Sequence, residues 1–273
     1  MQQVDVYKLI EGKSPKLARR IPGFIIRYLK RTVHQDEVNE ILSLYGDLEG
    51  VEFARATLRH MGIEYHSEGM EKLDPAGRYV FASNHPFGGM DGMMLADEVG
   101  KYFGDVRVVV NDLLMHLDPL KSIFIPVNKH GRQNDSSVRA FNDAFESDIP
   151  IITFPAGLCS RRTKGVVCDT EWKSNFIRKA VQSERDIVPV YFEGTLSNFF
   201  YRLDNFRKKV GIKANIAMLY LPDEMFRQKG GNFTIRIGDP VPWQSLLDGR
   251  SAGQAAEYMK TPSYGMKPPP MKR

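Results

Sequence analysis

The sequence predicts an α/β fold with a largely parallel sheet flanked by helices, preceded by a helical segment at the N-terminus. From Gly62 onward, short apolar runs of strand length alternate with segments of helical periodicity, which is typical of a parallel α/β sheet. Before Gly62 the apolar residues recur at helical spacing. The chain has 273 residues, enough to bury one large core.

Residues 1–61 form the predicted helical segment, with helices over 21–33, 36–45 and 51–61. On the first of these helices, apolar side chains share one face and cations form a stripe elsewhere: Ile21, Phe24, Ile25, Tyr28 and Leu29, against Arg27, Lys30 and Arg31. This is the pattern of an interfacial membrane helix. A surface helix packed on its own domain, with its basic side in solvent, shows the same pattern. The sequence leaves both interpretations open.

Residues 62–260 form the predicted α/β domain, and residues 261–273 a flexible, basic, proline-rich tail. Strands are predicted over 78–83, 106–110, 123–127, 151–154, 187–192 and 234–237. Helices are predicted between them over 90–102, 136–145 and 172–181.

A further amphipathic segment covers residues 198–213. Its apolar residues Phe199, Leu203, Phe206 and Val210 line one helical face, and cations lie elsewhere around it. We favour packing of this apolar face in the core over contact with a membrane. A second basic amphipathic segment nevertheless makes membrane contact by the protein more plausible.

Charge and cysteine content narrow the function classes. The net charge is +5, and residues 1–35 carry eight Lys or Arg against two acidic residues. This excess suggests a polyanionic partner, and no RNP-like or zinc-finger pattern favours nucleic acid. No run reaches the ~18–20 apolar residues of a membrane span, and no secretory signal is found. Cys159 and Cys168 suit a reducing compartment and have no metal-type spacing. We therefore predict a cytoplasmic protein without nucleic-acid partner or metal site.

The candidate catalytic residues are His85 and Asp91, which follow the predicted strand 78–83. Polar residues just past the carboxyl end of a strand are where α/β sheets place chemistry. The two are not at helical spacing, but Gly88 and Gly89 allow a loop that folds the carboxylate back onto the imidazole. Such a pair is a general base in a fixed tautomer. The alternative is that Asp91 only caps the following helix.

Two downstream strands lead into basic loops. The stretch SIFIPVNKHGR (122–132) reaches Lys129 and Arg132, and IITFPAGLCSRR (151–162) reaches Arg161 and Arg162. In a parallel sheet these loops share one edge with His85. Guanidinium groups beside a base suit an anionic substrate. Ordinary solvated surface charge is the alternative for each of these cations.

These segments, in this order, resemble the PlsC-like glycerolipid acyltransferase superfamily over residues 62–194. Its four sequence blocks match, in turn, Asn84-His85 with Asp91, residues 123–127, residues 154–157 with Ser160-Arg161, and residues 188–190. The chain departs from the family where Ala156 and Cys159 replace a glutamate and an arginine associated with a glycerol phosphate acceptor. The pattern is more similar to a bacterial branch labelled hemolysin, related to O-acyltransferases of ornithine or glycine lipids.

The resemblance implies transfer of a fatty acyl group from acyl carrier protein or acyl-CoA to the hydroxyl of a lysolipid, which is either a lyso-amino-acid lipid or a lysophospholipid. His85 would take the hydroxyl proton and Asp91 would orient the imidazole, with no cofactor beyond the thioester donor. Amides of the Gly157 loop are candidate oxyanion donors. The predicted substrate-binding residues are Asn84, Lys129, Arg132, Pro155, Gly157, Ser160, Arg161 and Arg162.

Location is predicted to be peripheral, on the inner face of the cell membrane, because the basic amphipathic helix accompanies no membrane span. Two alternatives remain at this point. One is a lipid or thioester hydrolase in which the same pair activates water. The other is a non-enzymatic, hemolysin-like membrane-binding protein, whose action would not depend on His85.

Overall fold

A computed structural model of the protein describes residues 3–127 and 135–268. Its strands are β1 (Glu64–Glu68), β2 (Tyr79–Ser83), β3 (Arg107–Asn111), β4 (Phe124–Val127), β5 (Ile151–Thr153), β6 (Arg161–Thr163), β7 (Val166–Cys168), β8 (Asp186–Phe192) and β9 (Asn232–Ile237). Seven of them form one sheet in the order β1-β9-β8-β2-β5-β3-β4, while β6 and β7 form a separate hairpin.

Most of the large sheet is parallel, as predicted. Strands β8, β2, β5, β3 and β4 pair in parallel, so their carboxyl ends lie at one edge. Strand β9 runs antiparallel to β8, and β1 pairs with β9 in parallel. The edge that carries the carboxyl ends of β2 and β5 is therefore where His85 and residues 154–162 lie.

Helices surround the sheet and also form the N-terminal segment. They are α1 (Val6–Lys13), α2 (Pro15–Ala18), α3 (Gly23–Thr32), α4 (Gln35–Tyr45), α5 (Gly50–His60), α6 (Gly89–Phe103), α7 (Asp135–Glu146), α8 (Asn175–Gln182), α9 (Asn198–Lys209), α10 (Leu221–Phe226) and α11 (Ala252–Gly265). The predicted helix over 172–181 begins later, at Asn175. Its first residue by prediction, Trp172, instead lies in the preceding loop, where its backbone N–H donates to Glu257.

The core lies on both faces of the sheet, and β2 shows why. All five of its residues are buried, as expected for a central parallel strand covered on both sides. Phe81 packs with residues of α5 and α6 on one face. Val80 and Ala82 pack with residues of α8 and α11 on the other face. The two layers of helices thus hold the end of β2, where the site begins, in a fixed position.

The C-terminal boundary differs from the prediction. Helix α11 continues to Gly265 and contains Pro262, so residues 261–265 are not part of a flexible tail. The Ser263 side chain is buried, and its hydroxyl donates to the Val190 carbonyl at 2.6 Å. Proline interrupts helices by removing one backbone hydrogen bond, and here the packing of the last turn against β8 outweighs that loss.

Helix α9 also differs from the prediction, because its apolar face is not packed in the core. Phe199 is 49% exposed and Phe206 is 59% exposed. The buried face instead consists of Phe200, Tyr201 and Asp204. Asp204 is drawn inward because it pairs with Arg161 at 3.4 Å, so the helix is rotated away from the orientation that its apolar residues favoured.

Candidate active site

The loop after β2 is fixed by an asparagine. Asn84 is buried, and its side-chain amide makes two hydrogen bonds with the backbone of Phe192 at the end of β8. Its Nδ2 donates to the Phe192 carbonyl at 2.9 Å, and its Oδ1 accepts from the Phe192 N–H at 2.7 Å. Asn84 therefore joins two strand ends directly before His85. A contact of this residue with substrate stays a prediction.

His85 and Asp91 lie together. His85 Nδ1 is 3.0 Å from Asp91 Oδ1, with the histidine side chain 18% exposed and the carboxylate fully buried. Among the described residues, Nδ1 makes no hydrogen bond of good geometry, and such bonds often tighten only when substrate is bound. Asp91 also accepts from the Phe87 and Gly92 N–H groups, each at 3.0 Å. The carboxylate thus serves the imidazole and the start of α6 at once.

Gly88 makes the turn that brings these residues together. Its φ is +77°, and a Cβ at this position would lie 3.2 Å from Cys159 Sγ. Residues other than glycine rarely adopt this backbone conformation. Gly89 is the first residue of α6, and a Cβ at this position would lie 4.0 Å from Met225 Sδ, an ordinary contact distance. Of the two glycines that the sequence pointed to, Gly88 therefore carries the conformational requirement.

Residues 154–162, which we call the arginine loop, pack directly against His85. The Phe154 ring stacks on the imidazole with 4.2 Å between ring centroids. The Ser160 N–H donates to the His85 carbonyl at 2.8 Å. The Gly157 N–H donates to the Phe154 carbonyl at 2.8 Å and closes a turn. This bond engages the Gly157 amide, so an oxyanion donor from this loop would be a different N–H.

The two arginines of this loop differ in their surroundings. Arg161 is only 4% exposed, and its guanidinium donates to the Cys159 carbonyl at 2.9 Å while it faces Asp204. It is not a solvated surface charge. Arg162 is partly exposed; it donates to Asn198 Oδ1 at 2.7 Å and lies 4.6 Å over the Tyr201 ring.

The other predicted binding residues divide into two groups. Pro155 is buried, and its carbonyl accepts from the Lys173 N–H at 3.1 Å. Ser160 is buried beside His85. Lys129 and Arg132 lie outside the residues that the structure describes. The predicted roles of all these residues in substrate binding stay predictions.

Cys159 lies close to the His85–Asp91 pair but is unsuited to act as a nucleophile. Burial, and secondarily the charge of Asp91, raises the pKa of its thiol to about 12. The thiolate is the reactive form of cysteine, and at neutral pH this thiol keeps its proton. The arrangement is therefore consistent with a direct transfer that forms no acyl-cysteine intermediate.

Two residues of this site were not singled out by the sequence. Phe154 lies in the segment 151–162 described above, but nothing in its spacing indicates a ring contact with His85. Asp169 lies nine residues beyond Ser160, and a hairpin returns it to the His85 loop. An acidic residue after a short hairpin is common, so the sequence held no specific signal for it.

The chain is similar to known proteins over nearly its whole length. Residues 8–269 match the model of a family described as acyltransferase. A lyso-glycine lipid O-acyltransferase of Bacteroides thetaiotaomicron is 45% identical over 262 residues, which cover 96% of both chains. One of Phocaeicola vulgatus is 44% identical over 262 residues, 96% of this chain and 94% of that protein. The crystal structure of the 1-acyl-sn-glycerophosphate acyltransferase PlsC from Thermotoga maritima has a TM-score of 0.46 and 14% identity, covering 81% of this chain and 84% of that one.

Proposed function

Since this chain belongs to the acyltransferase family, which it matches over residues 8–269, we propose that it acylates the hydroxyl of a lyso-glycine lipid. The resemblance to the amino-acid-lipid branch of acyltransferases is confirmed, and the protein is an acyltransferase. The proposed acceptor is supported by the two relatives, which are 45% and 44% identical to this chain and are both named lyso-glycine lipid O-acyltransferase.

The arginine loop supports an acceptor with a small anionic head group. Ala156 and Cys159, which replace the charged residues of the glycerol phosphate acyltransferases, are both buried and uncharged. Arg162 is the partly exposed guanidinium of this loop. We assign it to the carboxylate of the glycine head group, because a guanidinium binds a carboxylate through two parallel hydrogen bonds. Arg161 then serves to hold the loop on α9.

The His85–Asp91 pair supports a direct transfer. With Nδ1 facing Asp91, Nε2 is the nitrogen that takes the proton from the acceptor hydroxyl. The hydroxyl oxygen attacks the thioester carbonyl carbon, and Asp91 stabilises the imidazolium that forms. When the carbon–sulfur bond breaks, His85 returns the proton to the leaving thiolate. The product is an ester and a free thiol, so the thioester is the sole co-reactant.

Acyl transfer by purified protein tests this function. We expect a glycine lipid to form from lyso-glycine lipid and an acyl thioester, supplied either on acyl carrier protein or on coenzyme A. The matched control is an N-acylglycine without the free hydroxyl, which should give no product because it has no attacking oxygen. Release of free thiol at the same rate with and without acceptor would identify a hydrolase instead.

We further propose that the protein associates peripherally with anionic membranes. The exposed residues Tyr28 of α3 and Phe199 of α9 meet at Tyr220, and Phe24 is a further exposed aromatic residue of α3. The Tyr28 and Tyr220 hydroxyls are 2.6 Å apart, and the Phe199 and Tyr220 ring centroids are 5.0 Å apart. The same two helices, α3 and α9, carry exposed cations: Arg27, Arg31, Arg202 and Lys209. Across residues 3–127 and 135–268, every helix is too short or too polar to cross a bilayer. The inner face of the cell membrane stays the predicted location.

Removal of the charges on α3 should weaken this association. Basic residues near an anionic surface contribute roughly 1 kcal/mol each, so replacing Arg27, Lys30 and Arg31 with glutamine should reduce partitioning about 100-fold. Sedimentation with vesicles that contain anionic phospholipid measures the effect as protein moved from pellet to supernatant. A triple variant with the same charge change on the opposite side of the sheet should pellet like wild type: Lys173→Gln, Arg178→Gln and Lys267→Gln. Equal loss in both triple variants would mean that α3 does not bind the membrane.

A further inference from the structure

Asp169 is a buried carboxylate that the mechanism above does not use. It follows β7, at the end of the hairpin that begins with Arg161. Its side chain lies against the His85 loop, while its backbone N–H donates to the Tyr264 hydroxyl of α11 at 2.7 Å. The residue therefore joins the catalytic loop to the helix that packs behind the sheet.

Three donors converge on the Asp169 carboxylate. Oδ1 accepts from the His85 N–H at 3.2 Å and from the Ser160 hydroxyl at 2.6 Å. Oδ2 accepts from the indole N–H of Trp172 at 3.0 Å. Because buried polar groups are costly when unpaired, this full set of donors fixes the carboxylate in one position.

The contacts close a ring around the backbone of His85. The His85 N–H donates to Asp169, Asp169 accepts from the Ser160 hydroxyl, and the Ser160 N–H donates to the His85 carbonyl at 2.8 Å. Both backbone polar groups of the histidine are thereby held. Asp91, in contrast, contacts the imidazole ring. One carboxylate holds the main chain of the base and the other faces its side chain.

The donors to Asp169 are neutral groups. The nearby ammonium of Lys260 lies 3.0 Å from the backbone carbonyls of Asp169 and Thr170. The influence of the carboxylate is also visible at Tyr264, whose pKa is raised above its ordinary value, mainly by burial and then by the Asp169 charge. The Tyr264 phenol, which lies beside the Asp169 backbone, therefore stays protonated.

We propose that Asp169 is a positioning residue for catalysis, which sets the location of His85 through the His85 backbone and Ser160. This inference rests on the proposed function of His85 as the general base. Displacement of a catalytic group by about 1 Å can cost 10²-fold in rate. The residue thus affects the chemical step without touching the reacting atoms.

The test is Asp169→Asn. The amide has the same shape but only one acceptor oxygen, so its NH₂ group must face either the indole N–H or the His85 and Ser160 donors. We expect kcat to fall by about 10- to 100-fold, with the KM for lyso-glycine lipid nearly unchanged because the head group is assigned to Arg162. In protein labelled with ¹⁵N-histidine, the His85 backbone and ring signals should shift.

Ser263→Ala is the matched control. It also removes one buried hydrogen bond of α11, from the Ser263 hydroxyl to the Val190 carbonyl, and this bond involves none of His85, Ser160 and Asp169. It should lower the melting temperature but leave kcat and the His85 signals as in wild type. Equal loss of kcat in both variants would overturn the positioning role, as would wild-type kcat in Asp169→Asn. If His85→Ala also kept its activity, the proposed base itself would fail, which separates the two hypotheses.

Discussion

Replacement of His85 with alanine is expected to reduce acyl transfer to the background rate. Without the imidazole, no group takes the proton from the attacking hydroxyl, and general-base catalysis typically supplies 10²–10⁴-fold in rate. The fold should survive, because the backbone bonds of His85 to Asp169 and Ser160 do not involve the ring. The ring itself contacts Asp91 and stacks on Phe154.

The experiment compares initial rates of glycine-lipid formation for purified variants with matched melting curves. His66→Ala is the control, since His66 is an exposed residue of the edge strand β1, and its rate should equal that of wild type. A rate near wild type for His85→Ala would remove the histidine from the reaction. It would also end the mechanism in which this pair activates the acceptor hydroxyl.

Asp91→Asn should also cut turnover strongly, by about 10²-fold or more, as amides in place of the carboxylate of catalytic triads do. The asparagine side chain is uncharged, so it stabilises an imidazolium far less than a carboxylate does. Its oxygen can still accept a hydrogen bond from the start of α6, where Asp91 meets the Phe87 and Gly92 N–H groups. If helix capping were the whole role of Asp91, this substitution would cost almost nothing, since asparagine caps about as well.

Asp97→Asn provides the comparison for Asp91→Asn. Asp97 is a second buried carboxylate of α6, and it pairs with Arg55 at 2.7 Å and with Lys101 at 2.7 Å. Its replacement should lower the melting temperature. Turnover measured well below that temperature should change little. Turnover near wild type in Asp91→Asn would exclude the carboxylate from catalysis, whatever its effect on stability.

Six of the seven strands of the large sheet were predictable because their signal is local, whereas the edge strand β1 was not predicted. A continuous apolar run such as β2 is required when both faces of a strand are covered, and the glycines after it indicate a turn. The pairing of His85 with Asp91 followed from the same stretch, since the turn, the base and the carboxylate lie within seven residues. This short segment of the sequence therefore contained every residue that the His85–Asp91 contact needs.

The rest depended on contacts between distant segments. The rotation of α9 is set by the pairing of Asp204 with Arg161, 43 residues earlier in the chain, and helical periodicity cannot contain that information. Asp169 accepts a hydrogen bond from the backbone N–H of His85. Because every residue except proline has this group, the amino-acid sequence does not indicate which N–H is bound. The end of α11 was missed because Pro262 signals a helix end, whereas burial of Ser263 decides the outcome.

The two faces of α9 determine how far an acceptor must travel. Its inner face holds both arginines of the loop, Arg161 through Asp204 and Arg162 through Asn198 and Tyr201. Its outer face carries Phe199 and Phe206, which we place on the bilayer. A helix with its side chains is about 10 Å across, so in the membrane-bound orientation proposed above α9 would separate the lipid from the arginines by that distance. In this orientation a head group would need to rise only this far, and the acyl chains of the acceptor could stay in the bilayer during the reaction.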